Sequence, residues 1–217
     1  MKIYGLTGGS GAGKSAAAAL LVQNGFGWVD ADAVYRGLCV PGSALLDALH
    51  LAFGDILTPE GALDRPKLSK IVFSDPARLT QLGDITRPHI WQASEEEFHK
   101  LAEQGIDRIL YDAPTLFQTG FDRSCDAVIG VVASRETRIQ RIMQRDGLSE
   151  TAAAARIDAQ PDEAFYREKC DFVLENNGSL EELQTLGSTG NCVRWKYDEG
   201  SQIGRRVLDS LRYRGSL

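Results

Sequence analysis

Short apolar segments alternate with longer segments of mixed polarity along most of the chain. Five of the short segments have the composition of strands: residues 2–6, 28–32, 107–112, 127–133 and 171–175. The segment 127–133 is continuously apolar, as expected of a strand covered on both faces of a sheet. Strands that alternate with helices form parallel βαβ units. The pattern therefore predicts an α/β fold with a parallel five-stranded sheet flanked by helices.

The segments between these strands carry signals for the start of helices. The predicted helices cover residues 15–21, 43–53, 63–73, 75–103, 134–145 and 149–159. Pro88 predicts a kink or a break within the fourth of them, because proline lacks the amide that a helix interior needs. The second and third strands are too far apart for a simple crossover. The residues between them are therefore expected to form a helical lobe.

Two more helices are predicted toward the C-terminus. Residues 179–182 read Ser-Leu-Glu-Glu, which is the spacing of a capping box. Residues 203–211 place four apolar side chains on one helical face, in a tail that also carries several arginines. A packed or frayed terminal helix is the favoured interpretation of this tail, and a binding role is the alternative.

The most specific motif follows the first strand. Gly8–Ser15, which we call the phosphate loop, reads G-x-x-x-x-G-K-S between a strand and a helix. Its glycines allow successive amides to turn toward phosphate oxygens, at the positive end of the following helix. Lys14 supplies a charge for the β and γ phosphates, and the Ser15 hydroxyl is a ligand for Mg²⁺. The fold expected around this loop is that of the P-loop NTPases.

Three carboxylates fall at the carboxyl ends of predicted strands, where open parallel sheets bind their ligands. Asp112 is expected to hold Mg²⁺ directly or through water, with the capping of a turn as the alternative. Asp32 is expected to orient an attacking hydroxyl and take its proton, with Asp30 in support. The alternative for this Asp-x-Asp pair is the capping of a helix.

Arginines recur along the segment that follows the fourth strand. Arg138, Arg141 and Arg145 have the spacing of one helical face. Phosphoryl transfer spreads negative charge over oxygens that a lid carrying arginines can neutralise, and Arg141 is the favoured candidate. The alternative is a solvated basic face paired with neighbouring carboxylates.

The composition argues against some classes of binding partner and favours one cellular location. The 217 residues carry a formal net charge of −6, which argues against a nucleic-acid or membrane partner. The four cysteines are scattered, so free thiols are expected and a zinc site is not. The start of the chain lacks the layout of a signal peptide, and a cytoplasmic location is expected.

In an ordered series of segments, the sequence resembles the dephospho-coenzyme A kinase family. The resemblance extends from Met1 to about Leu183. It rests on the following segments: residues 5–15, 30–32, 53–57, 61–65, 68, 72–73, 111–117, 138–145, 156–160, 171 and 176–180.

The resemblance implies transfer of the ATP γ-phosphoryl group to the ribose 3′-hydroxyl of dephospho-coenzyme A, with Mg²⁺. It implies a nucleotide core of residues 1–40 and 106–185, a substrate lobe of residues 41–105 and a lid of residues 135–165. The tail of residues 186–217 is not matched by the family pattern. The catalytic residues would be Asp32, Lys14 and Arg141. The remaining implied contacts are Gly11, Ala12, Gly13, Lys14, Ser15 and Ala16 for ATP, Asp32, Arg65 and Arg87 for the acceptor, and Ser15 and Asp112 for the metal. The expected partner is the small-molecule acceptor, and the oligomeric state is left open.

The chain departs from the family pattern in three places. Arg87 precedes Pro88 where the family usually has histidine, Gln118 stands where it usually has glutamate, and Ala16 replaces a common threonine. The first two changes fall on the expected substrate side. A kinase of another small acceptor, such as a nucleoside, nucleotide or sugar acid, is therefore one alternative function. A nucleotide-binding switch is another, although the chain has no guanine-specific Asn-Lys-x-Asp segment.

Overall fold

A computed structural model describes residues 1–178 and the main chain of residues 193–195. The strands are β1 Lys2–Gly8, β2 Gly27–Asp30, β3 Arg108–Asp112, β4 Ala127–Val132, β5 Phe172–Glu175 and β6 Val193–Trp195. The helices are α1 Lys14–Gln23, α2 Ala31–Leu38, α3 Ala44–Phe53, α4 Arg65–Phe73, α5 Pro76–Glu103, α6 Leu116–Thr119, α7 Arg135–Asp146, α8 Glu150–Asp158 and α9 Glu163–Lys169. A short 3₁₀ helix covers Phe121–Ser124.

The strands form one sheet in the order β2-β3-β1-β4-β5-β6. Strand β1 pairs in parallel with β3 and β4, and β4 pairs in parallel with β5. The predicted α/β fold with five parallel strands is thus confirmed. Strand β6, which the sequence did not indicate, adds to the edge in antiparallel orientation beside β5.

The central strands are buried on both faces. Every residue of β4 is buried, as its continuous apolar sequence predicts. Leu6 and Leu110 are fully enclosed in the same cluster as Ala17 and Ala18 of α1. Because alanine side chains are small, α1 lies close to the sheet, and its first turn begins where β1 has just ended.

The chain divides into two compact units, of which the first holds most of the sheet and the second covers residues Val29–Gly105. Its core contains Leu45, Leu49 and Ile56, against which Tyr35 of α2 packs. The unit begins at Val29, earlier than the predicted lobe boundary at residue 41, because α2 contributes to this core.

Most of these helices begin at the residues that local signals indicate. Ser43, Asp64, Ser134 and Ser149 each accept a hydrogen bond from a main-chain amide in the first turn of the helix that follows. Such caps satisfy amides that the helix itself leaves unpaired. The predicted helices after these residues are confirmed.

The predicted break at Pro88 is wrong. Helix α5 is continuous over 28 residues, with Pro88 in its interior. The buried residues Thr86, Ser94 and Phe98 lie on both sides of the proline, and α2, α3 and α4 pack against this helix. Packing along its length therefore outweighs the loss of one helical hydrogen bond.

The second strand is shorter than predicted. It ends at Asp30, so Asp32 lies in the first turn of α2 and not at a strand end. The predicted helices at residues 179–182 and 203–211 lie outside the described residues. In the part of the chain that the structure describes, no helix is both long and apolar enough to cross a membrane.

Candidate nucleotide-binding site

The phosphate loop turns sharply between β1 and α1. Gly11 and Gly13 have φ values of 78° and 91°, a region that L-residues with side chains rarely adopt. A Cβ atom on Gly11 would lie 2.6 Å from the carbonyl oxygen of Arg138, and one on Gly13 would overlap the side-chain amide of Asn176. Both the backbone conformation and the close neighbours therefore require glycine at these positions.

Side chains from distant segments hold the outer surface of the loop. Arg138 Nε donates to the carbonyl oxygen of Ser10 at 2.8 Å, and Asn176 Nδ2 donates to that of Ala12 at 2.9 Å. The Ser10 amide donates to Gln160 Oε1, also at 2.8 Å, and these two residues also border the cavity described below. These contacts fix several main-chain groups of the loop.

The opposite surface of the loop faces a cavity. Within the described part of the chain, the amides of Gly11 and Gly13 donate to no protein acceptor. They border a cavity of about 710 Å³ at the N-terminal end of α1, where the helix dipole favours an anion. The other cavity-lining residues include Pro114, Thr115, Gln118, Gln144, Gln160 and Tyr166.

Lys14 and Asp112 form an ion pair beside this cavity. The Asp112 side chain is 3% exposed and that of Lys14 is 18% exposed, so water screens the pair only weakly. Asp112 is the last residue of β3, which lies next to β1 in the sheet. The sheet thus brings the strand-end carboxylate to the lysine of the phosphate loop.

The three arginines of α7 have different surroundings, although Arg141 and Arg145 both border the cavity. Arg138 is buried against the phosphate loop, whereas Arg145 is largely exposed and pairs with Asp146. Arg141 lies between them and borders the cavity, and it donates to the carbonyl oxygens of Asn176 and Gly178 at 2.8 and 2.9 Å. The alternative of a solvated ion pair therefore holds for Arg145. Burial lowers the pKa values of Arg138 and Arg141 without changing their charge near neutral pH.

Asp30 and Asp32 differ in their surroundings. Asp30 Oδ1 accepts from the amides of Asp32 and Ala33 at 2.9 and 3.2 Å, so it caps α2 as the alternative interpretation predicts. The Asp32 side chain is exposed at the first turn of that helix. Asp30 thus holds the turn that carries Asp32, and Asp32 stays the candidate base.

The expected acceptor contacts belong to the second unit. Tyr35 follows Asp32 by one helical turn on the same face of α2, and the Arg65 guanidinium lies 5.7 Å from the centre of its ring. Arg87 lies on α5, with an Nη atom 3.5 Å from Asp84. This unit thus places the Arg65 guanidinium beside a tyrosine that lies one helical turn from Asp32.

Sequence reasoning did not select Gln160 or Asn176, nor did it single out Arg138 within the arginine cluster. Gln160 follows α8 and Asn176 follows β5, and each contacts the phosphate loop from far away in sequence. A polar residue directly after a strand was a usable signal for Asn176, since ligands gather at that edge of the sheet. For Gln160 the sequence contained no such signal beyond its place in the segment 156–160. Among the described residues, no group of three or more His, Cys, Asp or Glu side chains could hold a metal ion.

Comparison with known proteins decides the family. A family model described as dephospho-CoA kinase matches residues 2–182, which is most of the chain. The chain belongs to the dephospho-CoA kinase family. The resemblance seen in the sequence is therefore confirmed.

Individual relatives and solved structures agree with this result. A dephospho-CoA kinase of Anaeromyxobacter dehalogenans is 42% identical over 98% of this chain and 100% of its own length. A Thermus thermophilus protein of known crystal structure is 34% identical, with a TM-score of 0.74 over 87% of this chain and 95% of that one. A dephospho-CoA kinase from Campylobacter jejuni is 28% identical, with a TM-score of 0.62 over 85% of this chain and 93% of that one.

Proposed function

We propose that this chain transfers the γ-phosphoryl group of ATP to the ribose 3′-hydroxyl of dephospho-coenzyme A, with Asp32 as the base. Membership of the dephospho-CoA kinase family makes it an ATP-dependent phosphotransferase that gives coenzyme A and ADP, the last step of coenzyme A biosynthesis. The structural observation that carries the proposal is the phosphate loop, whose lysine is paired with the strand-end carboxylate Asp112.

ATP binds with its phosphates against the inner surface of the phosphate loop. The cavity has amides at Gly11 and Gly13 that no described acceptor occupies, and α1 directs its positive end toward it. Residues Ala12, Ser15 and Ala16 complete the segment that holds the phosphates in this proposal. The outer contacts of Asn176 keep that segment in shape before the nucleotide arrives.

Two cations neutralise the charge that develops on the transferred group. The Lys14 ammonium and the Arg141 guanidinium both border the cavity. Donors that are already in place need little reorganisation as the transition state forms, so they stabilise it more than they stabilise bound ATP. Among the described residues, Arg141 is held in place by main-chain carbonyl oxygens and has no carboxylate partner, so its charge is available to phosphate.

The acceptor is bound and oriented by residues of the second unit. Asp32 is exposed and its main-chain amide is held by Asp30, so its carboxylate is presented at a fixed helix terminus. It accepts the proton of the attacking 3′-hydroxyl. Arg65 beside Tyr35, together with Arg87, supplies positive charge for an acceptor that carries phosphate groups.

The residues at the loop also fit Mg²⁺. Asp112 offers a buried carboxylate and Ser15 a hydroxyl at the start of α1, and hard oxygen ligands of this kind are those that Mg²⁺ prefers. When bound with ATP, the ion would supply charge neutralisation at the phosphates. The location proposed for this activity is the cytoplasm, on the basis of cysteines that are scattered along the sequence.

The experiment that tests this function is an assay of the purified chain with Mg-ATP and a panel of acceptors. The panel contains dephospho-coenzyme A, a nucleoside, shikimate and gluconate, and mass spectrometry identifies the products. We expect coenzyme A from the first acceptor and little turnover of the others. Efficient phosphorylation of a different acceptor alone would contradict the proposal. Gln118→Glu and Arg87→His restore the usual family residues, and they test whether these positions set the acceptor preference.

A further inference from the structure

Ser10 of the phosphate loop is held at two points, its carbonyl oxygen and its amide, by side chains from outside the loop. The Arg138 guanidinium donates to the Ser10 carbonyl oxygen, and Gln160 Oε1 accepts from the Ser10 amide, each at 2.8 Å. The two side chains also contact each other, since an Arg138 Nη atom donates to Gln160 Oε1 at 3.2 Å. Together they form a closed set of hydrogen bonds around one loop residue.

We propose that Arg138 and Gln160 are positioning residues that orient the Ser10–Gly11 peptide for nucleotide binding. In a trans peptide the C=O and N–H bonds point in opposite directions. Because the Ser10 carbonyl is bound to Arg138 on the outer surface, the Gly11 amide of the same peptide points away from Arg138. Gly11 borders the cavity, and its amide donates to no described acceptor.

The surroundings of Arg138 support a positioning role. It is 6% exposed, yet no carboxylate of the described residues lies within ion-pairing distance of it. A buried cation without a counter-ion is costly, and an apolar side chain would fill the same volume more stably. Among the described residues, its guanidinium donates to two neutral oxygens, those of the Ser10 main chain and the Gln160 side chain, and its end lies against Gly9. Its polar atoms thus bind at the phosphate loop and do not contribute to the packing of α7.

Gln160 extends the same set of contacts to the segment between α8 and α9. Only its carbonyl oxygen takes part in the contacts at Ser10, so a carboxylate of the same length could replace it. Leucine has a similar size and offers no acceptor. Gln160→Leu and Gln160→Glu are therefore matched variants that separate hydrogen bonding from packing.

The test uses the full chain without acceptor. It depends on the proposed function only in the assumption that ATP is the nucleotide. Amide exchange at Ser10 is followed by NMR in the nucleotide-free protein, and the Kd of ADP is measured by calorimetry. In Gln160→Leu we expect faster exchange at Ser10 and a Kd raised about tenfold, the effect of one lost hydrogen bond. Gln160→Glu should keep the slow exchange. Arg135→Gln, which removes an exposed ion pair one turn earlier on α7, is the control and should change neither quantity.

A double-mutant comparison completes the test. Arg138→Lys should weaken ADP binding as Gln160→Leu does, and the double variant should be little worse than either, because both side chains act on one residue, Ser10, and contact each other. Additive effects, or Ser10 exchange that Gln160→Leu leaves unchanged, would overturn the proposal. A lower melting temperature with an unaltered Kd would assign both residues to stability alone, which also overturns it. If the wild-type chain bound ADP but formed no coenzyme A, the proposed function would fail while these measurements still decided the role of the pair.

Discussion

Asn176 donates a hydrogen bond to the main-chain carbonyl of Ala12 at 2.9 Å, across 164 residues of sequence. Ala12 lies in the phosphate loop after β1, and Asn176 directly follows β5. Both strands run parallel to β4, so their carboxyl ends meet at the same edge of the sheet. The Asn176 side chain lies so close to the loop that no side chain fits at Gly13.

Replacement of Gly13 by alanine should abolish ATP binding. The new Cβ atom would overlap the Asn176 amide, and φ of 91° is unfavourable for alanine. Calorimetry with ATP should detect no binding, and thermal unfolding should show a loss of stability. Gly105→Ala is the matched control, because Gly105 also has positive φ (83°) but nothing lies within 4 Å of the added atom. It should lose about 1 kcal/mol and bind ATP normally; equal binding by both variants would contradict this account of the loop.

Lys14→Met should lower kcat by about 10²- to 10³-fold, as expected when a preformed charge at the transferred group is removed. It also leaves the buried Asp112 without its ammonium partner. The measurement is steady-state turnover with saturating Mg-ATP and dephospho-coenzyme A. Lys2→Met removes an exposed ion pair on β1 and should retain the wild-type rate. Turnover of Lys14→Met near that of the control would exclude the proposed role of the lysine.

Asp32→Asn should lower kcat much more than it alters the Kd of ATP. The amide cannot accept the hydroxyl proton, whereas nothing in the ATP cavity changes. Rapid-quench measurements of product formation and calorimetry with ATP separate the two quantities. Asp75→Asn is a suitable comparison, because Asp75 caps α5 in the same unit and asparagine can still accept the Ala77 amide. An unchanged rate in Asp32→Asn would remove this residue as the base.

The half-buried thiol of Cys125 should make the free energy of unfolding fall at alkaline pH. Burial raises the pKa of Cys125 from 9.0 to about 12, and the charges of Asp122 and Asp126 act in the same direction. The unfolded chain releases this proton near pH 9 while the folded chain keeps it, so the free energy of unfolding decreases as pH rises from about 9 to about 12. Urea unfolding at about pH 8 and about pH 10.5 measures this decrease. Cys125→Ser should show a smaller decrease, and an equal one would assign the effect to other groups.

Features that depend on neighbouring residues could be read from the sequence. The phosphate loop is one example, because its glycines, lysine and serine act within eight consecutive positions. Ser134 and Ser149 are others, since a helix cap bonds to amides two or three residues ahead. The continuous apolar composition of β4 likewise identifies a central strand wherever it occurs.

Features that depend on the assembled fold could not be read in this way. Arg138, Arg141 and Arg145 have one spacing and three different environments, which are set by the segments that pack against each turn of α7. Gln160 gains its role only when α8 returns to the phosphate loop. Pro88 is tolerated because the helix packs on both sides of it, and Asp30 is committed to a cap that shortens β2.

The chain leaves the first compact unit within β2 and returns just before β3. These two strands are neighbours in the sheet, so the second unit is an insertion in the chain between two adjacent strands. The residues that shape the phosphate loop, among them Asp112, Arg138, Gln160 and Asn176, all belong to the other unit. Insertions and substitutions in the second unit can therefore change acceptor choice during evolution, or in a designed chimaera, while the residues that shape the ATP site stay the same.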